Sequence, residues 1–80
     1  MRLSVLLFAY YRELVPAPSV ELEVRTGATV REAIARLREM PGWEGLPEEP
    51  TVAVNREYSR PDRELHAGDE LALIPPVAGG

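Results

Sequence analysis

Eighty residues give room for one domain around a single modest core, and no apolar run approaches the roughly 20 residues that a membrane span needs. Nine basic side chains stand against thirteen acidic ones, a net charge of −4, which argues against nucleic acid as a partner and fits docking on a basic surface. Cysteine is absent, which removes disulfides, thiolate metal sites and a cysteine nucleophile; lysine is absent too, so every cation is arginine.

The start, Met1-Arg2-Leu3-Ser4, does not lead into a cleavable signal pattern, because Arg12 and Glu13 soon interrupt the apolar run. A cytoplasmic location is the expectation. Residues Leu3 to Ala9 read as a strand in which Leu3, Val5 and Leu7 face one side and Ser4, Leu6 and Phe8 the other. The first set is the core face. Leu6 and Phe8 then stand on what should be the wet side of a small sheet, which points to a partner surface. Tyr10 to Val15 reads as a helical turn ended by Pro16 and Pro18. Val20, Leu22 and Val24 alternate with Ser19, Glu21, Glu23 and Arg25, the pattern of a half-buried strand that pairs antiparallel with the first.

The main helix follows. Thr29 stands at its N-cap with Glu32 three residues on, the capping-box spacing. Val30, Ala33, Ile34, Leu37 and Met40 form the inward stripe, and Pro41-Gly42 ends the helix. The loop from Pro41 to Pro50 has Trp43 as its apolar anchor, expected against the helix end. Thr51 to Asn55 is a short, mostly apolar strand that suits a central position, and Arg56 to Arg63 is polar with Tyr58 alone in it. After the Ala67-Gly68-Asp69 turn, Glu70 to Ile74 forms the last strand, with Leu71 and Leu73 inward and Ala72 and Ile74 outward.

The order strand, strand, helix, strand, strand predicts an α+β protein of β-grasp (ubiquitin-like) type. Its mixed sheet carries the one main helix on one face, with the first and last strands adjacent and parallel. Residues 1–74 are the domain; residues 75–80 are a flexible tail. Enzyme sites fail on the residue inventory. His66 reads as a surface histidine, Asp69-Glu70 as turn chemistry, and no metal-ligand spacing or phosphate loop occurs.

The tail offers different chemistry. Pro75 and Pro76 favour an extended backbone, Val77 and Ala78 continue it, and Gly79 and Gly80 carry no side chain to block a narrow channel. Six residues beyond Ile74 reach roughly 20 Å when extended. Leu6, Phe8 and Ile74, with Tyr58 in reach, form a docking patch on the face from which the tail leaves.

Val5-Leu6-Leu7-Phe8-Ala9, Arg12-Glu13-Leu14, Gly68-Asp69-Glu70-Leu71-Ala72 and the ending Pro75-Pro76-Val77-Ala78-Gly79-Gly80 resemble the MoaD/ThiS sulfur-carrier family. Within it, they resemble the branch formed by the small subunits of molybdopterin synthase. That resemblance implies a non-catalytic carrier subunit of a sulfurtransferase complex. An ATP-dependent activating enzyme would adenylate the Gly80 carboxylate and a sulfur donor would convert it to a thiocarboxylate. The large subunit of the synthase would then accept the tail and pass the sulfur to a pterin precursor of the molybdenum cofactor. By the same pattern Phe8, Tyr58 and Ile74 match contacts to the large subunit, in a heterotetramer, and the chain itself holds no cofactor. Two alternatives share the Gly80 chemistry: a carrier serving thiamine, cysteine or tRNA thiolation, and a ubiquitin-like modifier joined to a partner's lysine. A plain interaction module with an inert tail is the third.

Overall fold

A computed structural model of the chain describes residues 1–7, 19–47 and 49–74. The expected helical turn at Tyr10 to Val15, the strand end at Phe8 and Ala9, and the tail lie outside the described residues. Those described form five strands and one helix: β1 (Arg2–Leu7), β2 (Ser19–Glu23), α1 (Val30–Arg38), β3 (Thr51–Val54), β4 (Glu57–Tyr58) and β5 (Glu70–Ile74). The strands make one sheet in the order β2-β1-β5-β3-β4. β1 and β5 are parallel, with Leu6 opposite Ala72, and the other pairs are antiparallel. This mixed sheet with one helix is the expected α+β, β-grasp arrangement.

Period-two alternation decides which residues are core. Leu3, Val5 and Leu7 on β1, and Leu71 and Leu73 on β5, are buried with Leu22, Val52 and Val54 from the neighbouring strands. From α1 they meet Val30, Ala33, Ile34 and Leu37, the stripe predicted from its helical spacing. Trp43, 2% exposed, and Leu46 join the same core, so the loop after the helix is a lid on it. Arg38 fixes that loop by donating from Nε to the Leu46 carbonyl at 2.9 Å. The helix stops at Arg38, short of the expected Pro41, yet Met40 still packs against the core from the following turn.

The first turn of α1 accounts for its free N–H groups in full. Val30 N donates to the Arg63 carbonyl at 3.0 Å and Arg31 N to the Pro61 carbonyl at 2.8 Å. Glu32 N donates to Thr29 Oγ1 at 3.3 Å, as the capping-box spacing requires. The polar stretch between β4 and β5 is therefore the socket of the helix N-terminus. Glu32 also takes both ends of the Arg25 guanidinium at 2.6 Å. That hydrogen bonding, helped by Thr29, holds its carboxyl below the ordinary value.

β4 is absent from the sequence-based expectation. It is made by a two-residue reversal in which Asn55 (φ 51°) and Arg56 (φ 72°) are both left-handed, the conformation that matches sheet twist in tight hairpins. The reversal turns Tyr58 back to face Ala53.

Candidate functional site

The face of the sheet turned away from α1 contains one continuous cross-strand row. Leu6 on β1 pairs with Ala72 on β5, Ala72 with Ala53 on β3, and Ala53 with Tyr58 on β4. Two alanines thus occupy the middle of the row and larger side chains its two ends. The next level holds Ile74, opposite Thr51. The result is an open depression of ≈ 460 Å³ lined by Leu6, Ala53, Arg56, Tyr58, Glu70, Ala72 and Ile74. Its floor is apolar, and Arg56 and Glu70 put one charge of each sign at one end.

Three of the four predicted docking residues therefore share one surface. Leu6 and Ile74 are half-buried in its wall, and Tyr58 is 77% exposed. Phe8, Gly80 and the rest of the predicted tail, Pro75 to Gly79, lie outside the described residues. Ala53, Ala72, Arg56 and Glu70 were not assigned to this surface from the sequence. For Ala72 the outward parity was legible; for Ala53 the run Val52-Ala53-Val54 gives no sign of which residue faces out.

The far end of the depression is braced by a polar network. Asp69 accepts from the His66 backbone N–H at 2.8 Å and from Asn55 Nδ2 at 2.9 Å, while Asn55 Oδ1 accepts from Glu70 N at 3.0 Å. Asn55 N also donates to the Glu70 carbonyl at 2.8 Å. The hairpin that carries Arg56 and Tyr58 is thus tied to the start of β5. The bond from His66 N–H, then that from Asn55, keeps the Asp69 carboxyl below its ordinary value of 3.8. His66 itself is exposed, and among the described residues no acidic or histidine cluster could hold a metal ion.

Because the folded Asp69 is the stronger acid, its contribution to stability is present above the unfolded pKa, about 4. It is lost as pH falls through the lower folded value. Asp69→Asn is expected to cost about 1–2 kcal/mol at pH 7, as a charge-assisted bond is weakened. It should also shrink the fall in melting temperature as pH drops below about 4, the ordinary carboxylate value. Melts followed by circular dichroism across that range check both effects. An undiminished acid transition in the variant would assign it to other carboxylates, such as Glu32.

Among the described residues no helix is long and apolar enough to cross a membrane.

The ThiS family profile matches residues 5–80. Along its whole length the chain is similar to the molybdopterin synthase sulfur carrier subunit of Arabidopsis thaliana, with 35% identity over 81 residues and 84% of that protein covered. With the protein of the same name from Chlamydomonas reinhardtii the identity is 36% over 83 residues, and each chain is covered in full. Among solved structures, small archaeal modifier protein 1 of Haloferax volcanii superposes with a TM-score of 0.82 at 33% identity. That match covers 95% of this chain and 98% of the other.

Proposed function

This chain belongs to the ThiS family, and from that premise we propose that it is the sulfur-carrier subunit of a molybdopterin synthase. The observation that carries the reading is where β5 ends. Its last residue, Ile74, forms part of the wall of the outer-face depression. The six residues that follow in the sequence therefore start at a docking surface, and a partner seated there receives them directly. The name shared by the full-length relatives supports the same reading.

In this scheme an ATP-dependent activating enzyme binds the outer face and takes the Gly80 carboxylate. A carboxylate oxygen attacks the α-phosphate of ATP and pyrophosphate leaves, which makes Gly80 an acyl adenylate. Sulfide from a sulfur donor then attacks the carbonyl carbon, the bond to AMP breaks and AMP departs, and loss of the proton on sulfur leaves a thiocarboxylate. The charged carrier moves to the large subunit, where the thiocarboxylate sulfur attacks the pterin precursor; water then cleaves the bond between that sulfur and the Gly80 carbonyl carbon, which restores the carboxylate. The domain supplies docking and placement in each step. Glycine at the last two positions lets the backbone approach a buried reaction centre without a side chain in the way.

A second reading follows from the likeness to the archaeal modifier protein. The same acyl adenylate, attacked by an amine of another protein, gives an amide conjugate. Intact mass after incubation with ATP, an activating enzyme and a sulfide source tests the first reading. The expected result is exchange of one oxygen for sulfur in the full chain and none in a chain lacking Gly80. A full chain that stays at its starting mass, beside a carrier that the same enzyme does convert, would overturn it.

A further inference from the structure

Backbone strain that the fold does not offset points to a function outside it. Arg56 is the second of the two residues that reverse the chain between β3 and β4, and its φ of 72° is left-handed. Tight hairpins of this kind favour asparagine first and glycine second. Asn55 meets the first preference, and its side chain donates to Asp69 and accepts from Glu70 N at 2.9 and 3.0 Å. Arg56 departs from the second, since glycine would take the same backbone with no Cβ in the way. Its side chain does not offset that strain. Arg2, Arg25, Arg31, Arg36 and Arg60 each stand 2.6–3.8 Å from a carboxylate of the chain. The Arg56 guanidinium has no hydrogen bond or ion pair with any described residue.

Its position gives the free charge a use. Val54 pairs with Leu71 and Asn55 N donates to the Glu70 carbonyl, so Arg56 is level with the start of β5. It closes that end of the apolar depression, exposed beside the half-buried Glu70. The Asn55 bonds before it and the pairing of Glu57 with Val54 after it hold the hairpin in place. A partner that fills the depression takes water from the guanidinium, and a cation left dry without an anion opposes binding. A carboxylate meets the planar fork of N–H groups with two parallel bonds. The net charge of −4 draws the chain to basic surfaces in general. A cation at the docking site selects, among those surfaces, one with an acid at this point.

We infer that Arg56 is a specificity-determining residue of the docking face: its guanidinium takes a carboxylate of the protein that fills the depression. The inference rests on the reading that the large subunit docks there.

Arg56→Gly separates docking from folding. Glycine relieves the left-handed backbone, so the urea midpoint of the free chain is expected to hold or rise. Binding to the large subunit, read by titration calorimetry, is expected to weaken about 10- to 100-fold, as for lost hydrogen bonds to a charged group. Arg36→Gln removes the same charge from α1, on the other side of the sheet, and is expected to bind like the unaltered chain. The loss in Arg56→Gly is expected to persist when Glu70→Gln is added, because Arg56 answers an acid of the partner and not its neighbour. Arg56→Glu is expected to bind most weakly. Changing the acidic residues of the large subunit to lysine one at a time is expected to find one that restores part of its affinity.

A lower midpoint for Arg56→Gly would overturn the inference, since the arginine would then serve the fold. Undiminished binding by Arg56→Gly, or its recovery with Glu70→Gln, would do the same. So would failure of every large-subunit change to restore Arg56→Glu. Each of these leaves the carrier reading standing, because the unaltered chain still binds. An unaltered chain that does not bind the large subunit overturns both.

Discussion

Replacing Ala72 with glutamate is expected to weaken binding to the large subunit by about 100-fold or more, while the free chain folds as before. Ala72 sits in the centre of the outer row, between Leu6 and Ala53. In the free chain a longer side chain there points out of the sheet into the open depression and stays hydrated. The cost to folding is then a strand-propensity term of at most about 1 kcal/mol. A partner covering Leu6, Ala72 and Ile74 strips water from the new carboxylate, and an uncompensated buried charge costs about 3–5 kcal/mol. Ser4→Glu is the control for general charge, since Ser4 lies on the same face of β1 but outside the depression. Its effect is expected to stay within a few-fold. Titration calorimetry against the large subunit, with a melt of each free variant, checks both. Tight binding retained by Ala72→Glu would move the interface elsewhere on the molecule.

Which parts of this surface were legible in the sequence follows from how local each signal is. The alternation in Leu3-Ser4-Val5-Leu6-Leu7 and in Leu71-Ala72-Leu73-Ile74 separates core from outer face without any knowledge of neighbours. The Thr29 cap and the helical stripe are equally local. β4 is not. Two residues are too short for periodicity, and Asn55-Arg56 has arginine where a tight hairpin usually has glycine, so the turn carries no clear mark. The depression is the least local feature. It exists because two alanines separated by nineteen positions, Ala53 and Ala72, meet across β3 and β5. Only the register reveals that coincidence. The carbonyls of Pro61 and Arg63 that receive the first turn of α1 are hidden for a related reason, since backbone acceptors carry no side-chain signature.

Leu71→Ala, one residue from Ala72, is expected to have the opposite phenotype. Leu71 is fully buried and lies on the central strand, held by ladders to β1 on one side and β3 on the other. Those ladders resist the collapse that would refill a cavity, which places the cost in the upper part of the range of about 2–5 kcal/mol for such truncations. A domain of this size has about 4–12 kcal/mol of stability in all, so the variant stands near its threshold. Ile34→Ala, on α1 facing the same core, is expected to lose less, because a helix packed on one side can settle toward the sheet. Urea denaturation should show the midpoint falling furthest for Leu71→Ala and moving little for Ala72→Glu. Near equality of those two would mean that β5 does not present one face to the core and the other to a partner. A large difference would separate folding from docking on a single strand, through nothing more than the alternation of its side chains.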